Sequence, residues 1–163
     1  MGIAKGATRR VMPAMIGASA YLGLVEAGCA GDADPQAGAP TIVFKMEGGR
    51  SFTATLADNP SARDFLSLLP MSLTLKDYAS TEKIADLPKR LSTDGAPEGF
   101  APSAGDVAYY APWGNLAIFH RDFRHSPGLI HLGRIQGDFT ALKQTGPLDV
   151  RIERPPVSAA PKP

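Results

Sequence analysis

Apolar and polar residues alternate with a period of two over several short stretches, and each such stretch predicts a strand with one buried face. Phe52, Ala54 and Leu56 alternate with Ser51, Thr53 and Thr55, and Met71, Leu73 and Leu75 with Ser72 and Thr74. Leu148, Val150 and Ile152 repeat the pattern near the end of the chain. Thr41–Met46, Val107–Ala111, Asn115–His120 and Leu129–Ile135 are rich in β-branched, aromatic or alternating apolar residues and predict further strands. One segment switches to a helical period. Ala62, Phe65, Leu66 and Leu69 recur on one stripe, with Arg63, Asp64 and Ser67 opposite. Asn59 is placed to cap this helix, Pro60 suits its first position, and Pro70 stops it.

Turn residues fall between these elements. Glu47-Gly48-Gly49 predicts a hairpin turn, and so does Pro112-Trp113-Gly114, with Gly114 in the left-handed position. Asp138–Lys143 predicts a helical turn. The stretch from Tyr78 to Phe100 carries Pro88, Gly95, Pro97 and Gly99 and reads as one long irregular loop. Many short strands with regular turns and one amphipathic helix predict a mainly β fold: a small closed barrel with one or two short capping helices, spanning residues 41–154.

The N-terminal region follows a different logic. Lys5, Arg9 and Arg10 precede the apolar run Val11–Val25, and small residues follow at Ala27-Gly28-Cys29-Ala30. This is the layout of a secretory signal over residues 1–28, with residues 29–40 as a flexible linker. The apolar run is shorter than the roughly 20 residues of a membrane span. Cys29 is the lipidation candidate, which would make the chain a periplasmic protein held at a membrane. Glu26 stands where lipoprotein signals carry an apolar residue, so cleavage after Ala27 or Ala30 remains the alternative. Residues 155–163 are proline-rich and predict a disordered tail.

Composition narrows the function. The 163 residues are 44% hydrophobic, enough for a packed core. The predicted domain has 13 Lys/Arg and 13 Asp/Glu, so no basic face for nucleic acid is expected. The single cysteine excludes an internal disulfide and cysteine-pair zinc sites.

Several segments together resemble a bacterial cyclophilin-like family. They are Asp58-Asn59-Pro60, Leu68–Leu75, Glu82-Lys83-Ile84, Gly105-Asp106, Tyr109-Tyr-Ala-Pro-Trp-Gly-Asn-Leu-Ala-Ile-Phe119 and Leu132–Ile135. The resemblance implies a closed barrel of the cyclophilin type, in a family mostly of unassigned function. Cyclophilins proper are prolyl isomerases marked by Phe-His-Arg and a Gln-Gly-Gly-Asp-Phe run. Here Phe119-His120-Arg121 and Gln136-Gly137-Asp138-Phe139 echo them, at a longer spacing and with one glycine fewer. That implies Arg121, beside His120 and Phe119, as the candidate catalytic group for prolyl isomerisation.

The residues themselves favour a non-catalytic binding or accessory domain. No nucleophile–base arrangement, phosphate loop or cofactor motif is present. Tyr110, Trp113, Asn115 and Phe123 are the ligand-binding candidates, for a small molecule or proline-containing peptide. The alternative for Tyr109, Tyr110, Trp113, Phe119 and Phe123 is core packing with a hairpin tip resting on the barrel, and this is the expectation. His120, His125 and His131 show no metal-ligand spacing and read as surface or satisfied histidines, so no metal is expected. Asp106 reads as turn chemistry. Glu82-Lys83 reads as a solvated pair ordering the long loop, with a place at a pocket rim as the alternative.

Overall fold

The computed structural model describes residues 38–156. The predicted signal segment, Cys29, most of the linker and the tail from residue 157 lie outside the described residues. Among the described residues no helix is long and apolar enough to cross a membrane.

Eight strands form a closed antiparallel barrel in the order β1-β10-β3-β4-β7-β6-β9-β2. They are β1 (Thr41–Met46), β2 (Ser51–Leu56), β3 (Met71–Tyr78), β4 (Glu82–Asp86), β6 (Asp106–Tyr110), β7 (Asn115–Phe119), β9 (Leu129–Gln136) and β10 (Leu148–Glu153). The short strands β5 (Gly99–Phe100) and β8 (Ser126–Pro127) pair with each other outside it. The fold is therefore mainly β, as the alternating pattern predicts. The inward residues form one core, in which Phe44 and Phe52, directly opposite in the register of β1 on β2, stack at 4.6 Å. Such burial supplies roughly 1.5–3 kcal/mol per large apolar side chain before entropy is counted.

The ends are closed by different devices. Helix α1 (Pro60–Ser67) connects β2 to β3 and buries Ala62 and Phe65. The Asn59 side chain accepts from the Ala62 N–H at 2.8 Å, as a cap should. At the opposite end a 3-10 turn, Thr140–Lys143, inserts Leu142. Lys83 secures that same end. Its side chain is fully buried, and its Nζ donates to the carbonyls of Gln144 at 2.7 Å and Gly146 at 2.6 Å and pairs with Asp77 at 2.6 Å.

Two sequence expectations are corrected here. Tyr78 to Phe100 is not one irregular loop. Strand β3 runs on to Tyr78, a tight turn at Ala79-Ser80 follows, and β4 and β5 lie within the stretch. The turn has positive φ at Ala79 (48°) and Ser80 (58°), without the glycine or asparagine that normally announces such a turn. Nor is Glu82-Lys83 a solvated pair. Alternation along β4 sends Lys83 into the barrel and Glu82 outward, so the two never meet as partners.

Candidate functional site

The strands β4, β7, β6 and β9 carry apolar residues on their outer as well as their inner faces. Cross-strand partners share a face, so the register of β4 on β7 places Glu82 with Phe119, Ile84 with Ala117 and Asp86 with Asn115 on the outside. Ala108, Ala117, Phe119 and Leu129 are buried there as a second cluster, against which Ile84, Phe100, Tyr110 and Phe123 pack. A sheet covered on both faces reads as a continuous apolar run, which is what Leu116–Phe119 shows.

The cover over this outer face is incomplete. The segment after β7 is tied down where the Phe123 N–H donates to the Pro102 carbonyl at 2.9 Å and Asp122 accepts from the Ala104 N–H at 2.8 Å. The β5–β8 pair approaches so closely that a Cβ on Gly99 would sit 2.3 Å from the Ser126 carbonyl oxygen, which only glycine permits. Between this cover and the β3–β4 hairpin lies a concavity of about 270 Å³. Its floor includes Ile84, Ala117 and Phe119, and Tyr78, Tyr110 and Trp113 stand on one side of it.

Trp113 sits at the tip of the β6–β7 turn, where Gly114 has φ 75° and the Gly114 N–H donates to the Tyr110 carbonyl at 2.8 Å. Arg90 braces the turn, its Nη1 donating to the Ala111 carbonyl at 2.8 Å. The indole is 55% exposed and meets the rings of Tyr78 and Tyr110 edge-on, at 5.5 and 5.3 Å between centroids.

Two polar groups enter this apolar surface. Asn115 is 2% exposed; its Nδ2 donates to the Leu116 carbonyl at 3.4 Å, and its Oδ1 is buried with no partner among the described residues. Glu82 Oε2 is likewise buried, without a partner among the described residues. Burial pushes the Glu82 carboxyl up to about 7, and no charge among the described residues offsets it. An unpaired buried polar group costs roughly 1–3 kcal/mol, and a hydrogen-bond donor reaching either atom would relieve that cost.

The four ligand-binding candidates, Tyr110, Trp113, Asn115 and Phe123, all line this concavity. The aromatic residues are not simply core, however: Tyr109 and Phe119 are buried, Tyr110 and Phe123 half-buried, and Trp113 exposed. Sequence reasoning ranked Glu82 low and missed Tyr78. The only signal for either was its place on a strand, Tyr78 at the end of β3 and Glu82 at the start of β4, that the charged residues hid.

The candidate catalytic set is dispersed. Phe119 lies on the outer face under Phe123, with ring centroids 6.4 Å apart. His120 follows it on the other side of the strand, buried, with Nδ1 unpartnered; it is neither a surface nor a satisfied histidine. Burial, then the nearby Arg121 and Lys83 charges, lower its pKa and keep it neutral. Arg121 is exposed and lies outside the concavity. The Gln136–Phe139 run borders a different surface hollow that shares no residue with this one.

Asp106 does more than shape a turn. Its carboxylate accepts from the Ser103 N–H at 2.8 Å, and it also pairs with Arg134 at 2.6 Å and lies 3.7 Å from His131 Nε2. His125 is exposed. Among the described residues no group of three His, Cys, Asp or Glu side chains converges as metal ligands would.

Comparison with known proteins bears on the fold. The solution structure of a hypothetical protein from Archaeoglobus fulgidus superposes with a TM-score of 0.54 at 17% identity, covering 72% of this chain and 95% of that one. At this identity the likeness concerns the fold alone. No curated protein matches the sequence. Residues 46–153, most of the barrel, match the model of the cyclophilin-like family, and the chain belongs to that family.

Proposed function

We propose that this is an exported, non-catalytic binding domain whose ligand, a small molecule or short peptide, enters the concavity beside Trp113. The observation that carries this reading is the pair of buried acceptors without partners among the described residues, Glu82 Oε2 and Asn115 Oδ1, beside an apolar floor of Ile84, Ala117 and Phe119. Ligand sites combine apolar walls with a few placed polar groups in this way, and drug-sized ligands occupy roughly 300–1,000 Å³. A hollow of about 270 Å³ suits a smaller molecule or a single side chain of a peptide.

A fragment and peptide screen by NMR on the full chain tests the proposal. Ligands are expected to shift the Trp113 indole and Asn115 side-chain signals, and Trp113→Ala to weaken them. A broad screen that moves no signal around Trp113 would sink it. Prolyl isomerisation is the competing activity. Because Arg121 stands outside the concavity, a proline-peptide assay is expected to show no acceleration. Acceleration lost in Arg121→Ala would replace the binding reading with the enzymatic one.

Export rests on Lys5, Arg9, Arg10 and the apolar run after them. Mass spectrometry of the mature N-terminus is expected to find the first residues removed, with an acylated Cys29 if the domain is tethered. An intact Met1 would refute export.

A further inference from the structure

The chemistry of the concavity narrows its ligand, and this inference rests on the binding reading above. The two buried polar atoms of the lining without a partner among the described residues, Glu82 Oε2 and Asn115 Oδ1, are acceptors, so a ligand that satisfies them brings donors. The β4–β7 register separates them. Glu82 stands opposite Phe119 and Asn115 opposite Asp86, four residue steps apart, or about 13 Å along the strands. The floor between them, Ile84 and Ala117, is apolar. Tyr78 is the cross-strand neighbour of Glu82, and Tyr78, Trp113 and Tyr110 form a continuous edge-to-face set. Aromatic rings beside a carboxyl attract cations. Arg124, the one cation among the lining residues, is drawn over the Phe123 ring at 5.3 Å, and among the described residues Glu82 enters no ion pair.

We propose that the site binds an elongated organic cation, with an ammonium or guanidinium end at Glu82, a short apolar stem across Ile84 and Ala117, and a second N–H donor at Asn115 Oδ1. A free linear diamine has this chemistry, and so does a lysine or arginine side chain with its backbone N–H. Ionisation of the site follows from the groups around Glu82. Strand β3 contributes Tyr78, β6 contributes Tyr110 and the segment after β7 contributes Arg124, while β7 itself brings the uncharged Asn115, Ala117 and Phe119. With its carboxyl at about 7, Glu82 must release a proton to receive the cation near neutral pH. Affinity therefore rises between pH 6 and 8.

Calorimetry and NMR titration of the full chain with the linear diamines from 1,4-diaminobutane to 1,8-diaminooctane, hexylamine, hexan-1-ol and Nα-acetyl-lysine methylamide test this. One diamine length is expected to bind best and to shift the Trp113 and Asn115 signals. Hexylamine should be weaker and hexan-1-ol about tenfold weaker or worse, the scale of one cation–π or charged contact. Glu82→Gln should lower diamine affinity about tenfold, abolish proton release and spare hexan-1-ol. Arg124→Gln should tighten the diamine. Trp113→Ala, at a position 55% exposed, should weaken every cation.

Hexan-1-ol binding as tightly as the diamines, an unchanged affinity in Glu82→Gln, or a loss of affinity in Arg124→Gln would overturn the cation while leaving the binding site standing. Silence from every probe, in a protein whose signals do respond to other fragments, would overturn it too. Silence from those fragments as well would overturn both readings. Tighter binding of the lysine derivative would assign the cation to a peptide side chain, and tighter binding of a diamine to a free metabolite-sized molecule.

Discussion

Lys83 and Glu82 are neighbours in sequence with opposite fates, and each makes a prediction. Lys83 is fully buried with three partners at the barrel end, so removing its charge strips the Gln144 and Gly146 carbonyls and Asp77 of their donor at once. Lys83→Met is expected to cost about 1–3 kcal/mol, read as a lowered midpoint in urea unfolding, because two part-buried carbonyl acceptors lose their donor, while the exposed Asp77 carboxylate can turn to water. Hydrogen bonding to Lys83, and then to the Gly146 N–H, holds the Asp77 carboxyl below its usual value. Glu82 works in the other direction. Its folded value of about 7 lies above the ordinary 4.5, so the folded state holds the proton more tightly than the unfolded chain does. The stability this gives is fully present below about 4.5 and is lost as pH rises through 7. Glu82→Gln should therefore match the wild type near pH 4 and exceed it at pH 8 by about 1–2 kcal/mol once solvent screening is allowed for. Urea unfolding at the two pH values measures this, and an equal difference at both would contradict it. None of this could be read from the charges alone. A Glu-Lys pair in sequence says nothing about which of the two a strand will turn inward.

At the scale of elements, legibility depended on whether the hydrophobic pattern matched the burial. Helix α1 was legible because its cap, its proline and its apolar stripe all point to one answer. Asn59→Ala is expected to cost about 1 kcal/mol as a lost cap. Its Nδ2 also donates to the His131 carbonyl at 2.8 Å, so the fall in melting temperature should exceed that of a cap alone. Strand β4 was not legible, because it points a lysine into the barrel and an isoleucine outward, and its turn lacks glycine. The same inversion builds the site. The outward Ile84 and Glu82 are part of the concavity, whereas a strand with a polar outer face would simply meet solvent. The β6–β7 turn was legible as a turn from Pro112 and Gly114, but its brace, Arg90, comes from the stretch that reads as loop. Arg90→Met is expected to change stability by less than about 1 kcal/mol, yet to alter Trp113 fluorescence and speed amide exchange over Ala111–Gly114. A variant with unchanged emission and exchange would show that Arg90 does not hold the turn.

The whole molecule is a closed barrel, and closure has two consequences. No barrel strand is left with an unpaired edge, since β1 meets both β2 and β10. The outer surface then becomes the place where a site can form, because the interior is filled by side chains. The amino-acid sequence by itself determined the class of the fold, the capped helix, most strands and the aromatic turn, because these depend on local periodicity and on turn residues with fixed backbone preferences. It also brought Tyr110, Trp113, Asn115 and Phe123 forward as candidates, since they lie within one hairpin and the segment after it. Only the tertiary structure decided that Tyr78 and Glu82 join them, that Arg121 does not, and that Lys83 is a buried clasp. Those outcomes depend on register: a strand alternates its faces with a period of two, and which face meets the core or the cover is fixed by the strands on either side.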